Sequence, residues 1–300
     1  MKLFTKRRGL AAASMAAVAA LALTACGGDS DSGSGGGGDT GLKYDVATDV
    51  SIDGSDTFDK IKKDGKITIG VKEDQPSLGY LDAATKERSG FDIEIARWMA
   101  ASLGVKESDI KYKLVDSAQR EQALQNGTVD LYVGTYSITD ERKEMVGFAG
   151  PYFVTGQSLL VKKDSKAKSI EDLGGKKICS ITGSTPLQNL KKKYTDIETV
   201  EMDKYSVCVD ALKNDKVDAV TTDEAILLGY AAEDPDNLKT IGEQFTEERY
   251  GIGLPKGDTA LCEALTTTLK DGGDTWTEIF DATLGKSGAK VEQPEPDACS

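Results

Sequence analysis

Residues Lys66-Ile67-Thr68-Ile69-Gly70-Val71-Lys72 alternate polar and apolar positions and are rich in β-branched side chains, which predicts a strand. Farther on, apolar residues at 91, 95, 98, 99 and 103 recur at the spacing of a helix that turns one face to a core. These two periods alternate to the end of the chain. Further strands are expected at 110–115, 129–136, 157–162, 177–181, 199–202, 219–222, 238–242 and 249–254. Helices are expected at 117–125, 139–146, 169–173, 186–194, 207–214, 224–232, 259–270 and 275–283. Two runs of strand–helix–strand without an internal repeat imply two α/β lobes with parallel sheets. Residues 286–300 carry neither period and read as a loose tail, with Cys299 as its one point of attachment.

The N-terminus follows a different pattern. Lys2, Lys6, Arg7 and Arg8 precede an apolar stretch, residues 10–23, that is too short to span a bilayer, as in a secretory signal peptide. It ends in Leu23-Thr24-Ala25-Cys26, which resembles a bacterial lipobox, so residues 1–25 are expected to be removed and Cys26 lipidated. An ordinary signal peptide with a chance cysteine is the plainer alternative. The Gly, Ser and Asp run that starts at the next residue favours lipidation and supplies a tether, which as a coil spans roughly 20 Å over residues 27–41.

Charge and composition narrow the chemistry. The 300 residues hold 37 basic and 50 acidic side chains, a net −13. Loss of residues 1–25 removes four basic groups and no acidic ones, leaving 33 against 50 and a net −17. Such a chain cannot neutralise a row of phosphates, which argues against nucleic acid. With no histidine, a Ser-His-Asp triad, a Cys-His pair and a His-ligated zinc are excluded. Cys179, Cys208, Cys262 and Cys299 remain after Cys26, an even number in an exported chain. Three connectivities are open to them, and nearness in sequence favours Cys179–Cys208 and Cys262–Cys299. No C-x-x-C spacing points to a metal.

In open α/β sheets ligands lie beyond the carboxyl ends of the strands, so a cleft between the lobes is the expected site. Gly150-Pro151-Tyr152-Phe153-Val154-Thr155-Gly156-Gln157 suits a passage between lobes, with the stretch around Arg249-Tyr250-Gly251 as the return. Thr139 fits a helix N-cap, which sets Arg142 at the third helical position. A capping box places Glu or Gln there and the helix dipole disfavours a cation, so a role that outweighs the local rule is indicated. A guanidinium grips a carboxylate in two hydrogen bonds; a solvated Arg paired with a neighbouring acid is the plain alternative. Gly183-Ser184-Thr185-Pro186 starts a helix with Thr185 as N-cap, whose free N–H groups suit an anion or simply a capped helix. Asp223, directly after a strand, either caps the next helix or receives an ammonium. Together, an Arg from one lobe and an Asp and a helix N-terminus from the other match an α-amino acid.

At these residues the chain resembles the solute-binding proteins of polar amino-acid ABC importers, bacterial extracellular solute-binding protein family 3. The resemblance runs over about residues 66–285. It is carried by Gly90-Phe91-Asp92-Ile93-Glu94-Ile95-Ala96, Asn126-Gly127-Thr128-Val129-Asp130, Ile138-Thr139-Asp140-Glu141-Arg142, Phe148-Ala149-Gly150-Pro151-Tyr152, Glu171-Asp172-Leu173-Gly174-Gly175-Lys176-Lys177 and Val217-Asp218-Ala219-Val220-Thr221-Thr222-Asp223. It implies an α/β, two-lobed periplasmic-binding-protein-like fold of type II with two hinge crossings and a ligand cleft between lobes. The first lobe is then 43–153 plus 250–300 and the second 154–249. It also implies that Arg142 binds the α-carboxylate with Ser137 and Thr185, that Asp223 holds the α-ammonium, and that Thr135 and Ser184 join the site. Gly70-Val71-Lys72-Glu73-Asp74-Gln75-Pro76 and Ser117-Ala118-Gln119-Arg120 are similar to the acidic branch, and Cys179, Cys208 and Gly183-Ser184-Thr185-Pro186 to actinobacterial glutamate-binding lipoproteins.

The ligand implied is L-glutamate, then aspartate, with ABC permease subunits as partners, a lipid anchor as the link to the membrane, a monomeric state and no cofactor. A buried side-chain carboxylate needs its own cation, for which Lys72 and Arg120 are available; ordinary surface charge is their plain reading. Many relatives stack the ligand between aromatic rings near the first strand, where this chain offers only Tyr80. Binding of another polar amino acid, or a small dehydratase or hydrolase on the same fold, are the alternatives. Asp92 and Glu94, two apart on a helix, face different ways and make no acid/base pair.

Overall fold

The computed structural model describes residues 40–299. The signal peptide, Cys26 and most of the tether lie outside the described residues. The first described segment is an extended strap on the first lobe, where the Thr40 and Tyr44 hydroxyls donate to the buried Glu94 carboxylate at 2.7 and 2.9 Å. Helix α1 (Asp56–Asp64) follows, its end capped by the Ser55 hydroxyl, which accepts the Phe58 N–H. The sequence pattern gives no sign of α1, because only Thr57, Phe58 and Ile61 are buried in an otherwise charged segment.

Strand β1 (Ile67–Val71) leads into a small antiparallel sheet of β2 (Asp74–Gln75), β3 (Gly79–Leu81) and β4 (Arg88–Ser89), too short for periodicity to reveal. Next come α2 (Phe91–Ser102), β5 (Ile110–Leu114), α3 (Arg120–Gln125), β6 (Leu131–Tyr132), α4 (Asp140–Lys143) and β7 (Gly147–Thr155). The second lobe holds β8 (Gln157–Lys162), β9 (Lys177–Ile181), α5 (Thr185–Lys193), β10 (Glu198–Met202), α6 (Tyr205–Lys213), β11 (Ala219–Asp223), α7 (Glu224–Glu233) and β12 (Leu238–Ile241). Strand β13 (Glu248–Leu254) returns to the first lobe, which ends in α8 (Thr259–Asp271) and α9 (Gly273–Ala282).

Each lobe has one five-stranded sheet, ordered β5-β1-β6-β13-β7 and β10-β9-β11-β8-β12. The expected parallel pairing holds for β1 with β5 and β6, and for β9 with β10 and β11. The sheets are nevertheless mixed. In the first, β13 is antiparallel to β6 and β7; in the second, β8 is antiparallel to β11 and β12. The cause is the crossing itself: β7 runs out of one sheet directly into β8 of the other, and β13 runs back beside β7. Val154 pairs with Arg249 and Thr155 with Glu248 at that point.

Burial of the apolar faces holds each lobe. In the first, Phe91 meets Tyr152, Phe153, Trp276 and Phe280, and the Trp276 indole N–H donates to the Tyr152 carbonyl at 2.7 Å. Disulfides Cys179–Cys208 and Cys262–Cys299 tie β9 to α6 and α8 to the tail. In the chain-entropy account each closed loop of this size is worth roughly 3–4 kcal/mol. The tail is also less loose than its composition suggests. Besides the disulfide, the Asp297 N–H donates to the Gly150 carbonyl at 2.7 Å, and the Asp297 carboxylate accepts from Arg249 at 2.7 Å.

Candidate functional site

Arg142 stands at the third position of α4, where the Thr139 hydroxyl accepts its backbone N–H at 3.2 Å. Its side chain avoids solvent: the residue is 5% exposed. One terminal nitrogen donates to the Ser137 carbonyl at 2.6 Å and the other to the Gly183 carbonyl of the second lobe at 2.9 Å. Its Nε lies 3.4 Å from Glu121. Burial, and then the neighbouring Arg120, bring its pKa down to about 10, so it stays charged at neutral pH.

Arg120 opens α3 and donates to three carbonyls, Ser117 at 3.0 Å, Thr135 at 3.3 Å and Gly183 at 3.0 Å. Its guanidinium lies over the Tyr136 ring, 4.4 Å from the centroid. Lys72, one residue past β1, donates to the Ser117 hydroxyl at 2.9 Å and is 3% exposed. Burial, and then Arg120, lower its pKa to about 7. The hydrogen-bond partners of Arg120 and Lys72 among the described residues are all neutral.

Thr135 sits in the left-handed region at φ 47°, an uncommon state for a β-branched residue. Its N–H donates to Asp92 at 3.0 Å, and its hydroxyl is 3.2 Å from the Gln75 amide. Asp92 also accepts from the Tyr152 hydroxyl at 2.7 Å, while Glu94 is engaged by the strap and by Arg97. The two carboxylates serve separate structural contacts.

On the second lobe, Gly183 adopts φ +80°, and a Cβ there would lie 2.6 Å from the Ala118 Cα. Only glycine lets this carbonyl approach both guanidiniums. The cap of α5 is Ser184, one residue before the expected Thr185; its hydroxyl accepts the Leu187 N–H at 3.2 Å and donates to the Ile181 carbonyl at 2.8 Å. Pro186 therefore takes the second helical position. Relieved of capping, the Thr185 hydroxyl donates to Glu248 at 2.7 Å and lies 3.3 Å from the Ser137 hydroxyl across the cleft.

Asp223 ends β11 at the N-cap position of α7, yet its side chain accepts nothing from that helix. One oxygen accepts from the Tyr250 hydroxyl of β13 at 2.6 Å. The other is buried without a partner among the described residues. Burial, and then the Glu248 charge, hold this carboxyl well above the usual range.

The residues singled out from sequence converge. Arg120, Thr135, Ser137, Ser184, Thr185 and Asp223 line a narrow cleft between the lobes. Arg142 and Lys72 reach it through Ser137 and Ser117. Sequence reasoning missed Ser117, Pro186, Tyr205 and Ile226 in the lining, and Glu248 and Tyr250 behind it. Ser117 stands three residues before Arg120, in the Ser117-Ala118-Gln119-Arg120 stretch; Tyr205 and Ile226 carry only helical periodicity. Tyr80 is absent from the lining, and Tyr205 is the aromatic residue there.

The sequence model of the bacterial extracellular solute-binding proteins, family 3, matches residues 67–284. The glutamine-binding protein of Geobacillus stearothermophilus is 41% identical over 256 residues, 85% of this chain and 96% of that one. The glutamate-binding protein GluB of Corynebacterium efficiens is 38% identical over 311 residues, 98% and 96% of the two chains. Among solved structures, an ancestral arginine-binding protein bound to arginine is similar with a TM-score of 0.67 and 36% identity, over 72% of this chain and 97% of that one. The order of strands, the two crossings and this extent of similarity agree: the chain belongs to the bacterial extracellular solute-binding proteins of family 3.

Proposed function

We propose that this protein captures an acidic amino acid, L-glutamate ahead of aspartate, for an ABC importer, and that lipid on Cys26 holds it at the outer face of the membrane. The observation that carries the reading is Asp223. A carboxylate on the second lobe, buried and half unsatisfied, faces the guanidinium side of the first lobe. An α-ammonium answers Asp223, with Tyr250 steadying the other oxygen, and an α-carboxylate answers Arg142. Ser137, Thr135, Ser184 and Thr185 add neutral polar groups around them. Arg120 and Lys72 remain as cations with neutral partners, which suits a second carboxylate on the ligand side chain. The glutamate-binding relative supports this choice.

Glutamine is the second reading. Lys72 is held near neutrality by burial, and an uncharged lysine accepts an amide neighbour; a relative named for glutamine binding supports it. Titration calorimetry with glutamate, aspartate, glutamine and arginine separates the two. The expected result is a Kd for glutamate of about 1 μM, around −8 kcal/mol, with aspartate next and glutamine clearly weaker. Tighter binding of glutamine or arginine would overturn the acidic assignment.

The anchor has its own test. Replacing Cys26 (Cys26→Ser) should free the protein from the membrane fraction and leave ligand affinity unchanged, because the tether isolates lipid from cleft. Retention of that variant on membranes removes the lipid claim.

A further inference from the structure

Away from the cleft lining, the lobes also touch where β2 of the first lobe meets α6 and α7 of the second. The N-cap position of α6 is Lys204, whose side chain makes no capping bond. A cation there opposes the helix dipole, and the exposed first-turn N–H groups want an acceptor. Asp74 supplies it from the other lobe: its Oδ2 accepts the Ser206 N–H at 3.1 Å. The Tyr230 hydroxyl on α7 donates to the Asp74 backbone carbonyl, and its oxygen lies 3.5 Å from Asp74 Oδ2. Next to Tyr230 on the same helix, Gly229 packs under the loop after β2; a Cβ there would lie 2.4 Å from the Pro76 carbonyl oxygen. Cys208 on α6 is joined to Cys179 on β9, so this helix is tied to the sheet of its own lobe.

We infer that Asp74, with Ser206, Tyr230 and Gly229, forms an interlobe latch that favours the closed form whatever amino acid occupies the cleft. Asp74 supplies in trans the acceptor that α6 lacks, so the bond exists only while the lobes meet. None of the four lines the cleft. The latch therefore sets how tightly the protein holds its ligands in common, whereas the cleft sets which ligand is held. This rests on the reading that the lobes close on an amino acid.

Gly229→Ala tests it most cleanly. Alanine suits a helix interior better than glycine, so α7 should form as well as before, while the new methyl group meets Pro76 and wedges the lobes apart. The expected result is that affinities for glutamate and glutamine both fall by about tenfold or more while their ratio stays within about twofold. Tyr230→Phe, which removes the hydroxyl that donates to the Asp74 carbonyl and leaves the charge beside Lys72 in place, should move both in the same direction by a smaller factor. Small-angle scattering of ligand-free protein should show a larger radius of gyration for Gly229→Ala than for wild type. Unchanged affinity and radius in Gly229→Ala overturn the latch, as does a loss confined to one ligand. If wild type binds none of the amino acids tried, the functional reading fails, and the ligand-free scattering difference still decides whether the latch holds the lobes together.

Discussion

The two walls of the cleft are built on opposite plans. The first lobe presents Lys72, Arg120 and Arg142, three buried cations whose hydrogen bonds go to carbonyls and a hydroxyl, with Glu121 3.4 Å from Arg142 and Asp74 and Asp116 acting on Lys72. The second lobe presents Asp223, with Glu248 of the crossing strand close enough to push its carboxyl further up. Collecting like charges in a buried wall is costly, and each wall is left with a demand that it does not meet by itself. A zwitterion meets both demands only when the walls come together. On the proposed reading the contrast couples closure to binding: a ligand that contacts both walls favours the form in which they meet. On the proposed reading, these cations suit a ligand with one more negative group than positive.

The largest expected effect comes from stripping either wall of its principal charge. Arg142→Ala and Asp223→Ala should each weaken glutamate binding by about 2–5 kcal/mol, because a desolvated ligand charge is left without its partner. Calorimetry gives the loss, and thermal melting should show both variants folded, since neither side chain belongs to the apolar core. Small-angle scattering should show wild type contracting with glutamate. The comparison breaks if Arg142→Ala contracts as fully as wild type at the same low glutamate concentration.

Much of this arrangement was legible from sequence because it rests on local rules. Strands such as Ile67–Val71 and Lys177–Ile181 announce themselves by periodicity. Arg142 stood out because a first-turn cation breaks a helix rule, and its burial between Ser137 and Gly183 accounts for the breach. What escaped is non-local. The cap of α5 fell on Ser184 because either of two adjacent hydroxyl residues fits a helix start, and the choice was made by Glu248, distant in sequence. The stretch around Arg249-Tyr250-Gly251 was legible as the return between lobes, but nothing in alternation says that Glu248 and Tyr250 carry polar groups to the cleft there. The contact of Asp74 with α6 joins residues 132 positions apart, and no period encodes it.

The smallest expected effect is also the sharpest test of the extra cation. Burial is the main cause that lowers Lys72 to about 7; Arg120 and Lys204 push the same way, and Asp74 and Asp116 oppose them. Because its pKa is lower in the folded protein than in the unfolded chain, stability should rise as pH climbs from about 7 toward the ordinary lysine value, and Lys72→Met should lose that slope. In binding the sign reverses. A ligand carboxylate beside Lys72 favours the ammonium form, so glutamate binding takes up a proton above about pH 7, and its affinity falls by up to about tenfold per pH unit. Asp223 acts oppositely: the ligand ammonium draws its raised pKa down, a proton leaves, and affinity rises with pH. That second effect is common to glutamate and glutamine and cancels in their ratio. The glutamate-over-glutamine preference should therefore be nearly flat between about pH 6 and 7 and drop by about tenfold or more by about pH 9, whereas in Lys72→Met it should be small and level throughout. Calorimetry in buffers of different ionisation enthalpy counts the protons directly. A wild-type ratio that stays constant across this range would show that Lys72 does not meet the ligand side chain, and would leave Arg120 as the one cation for it.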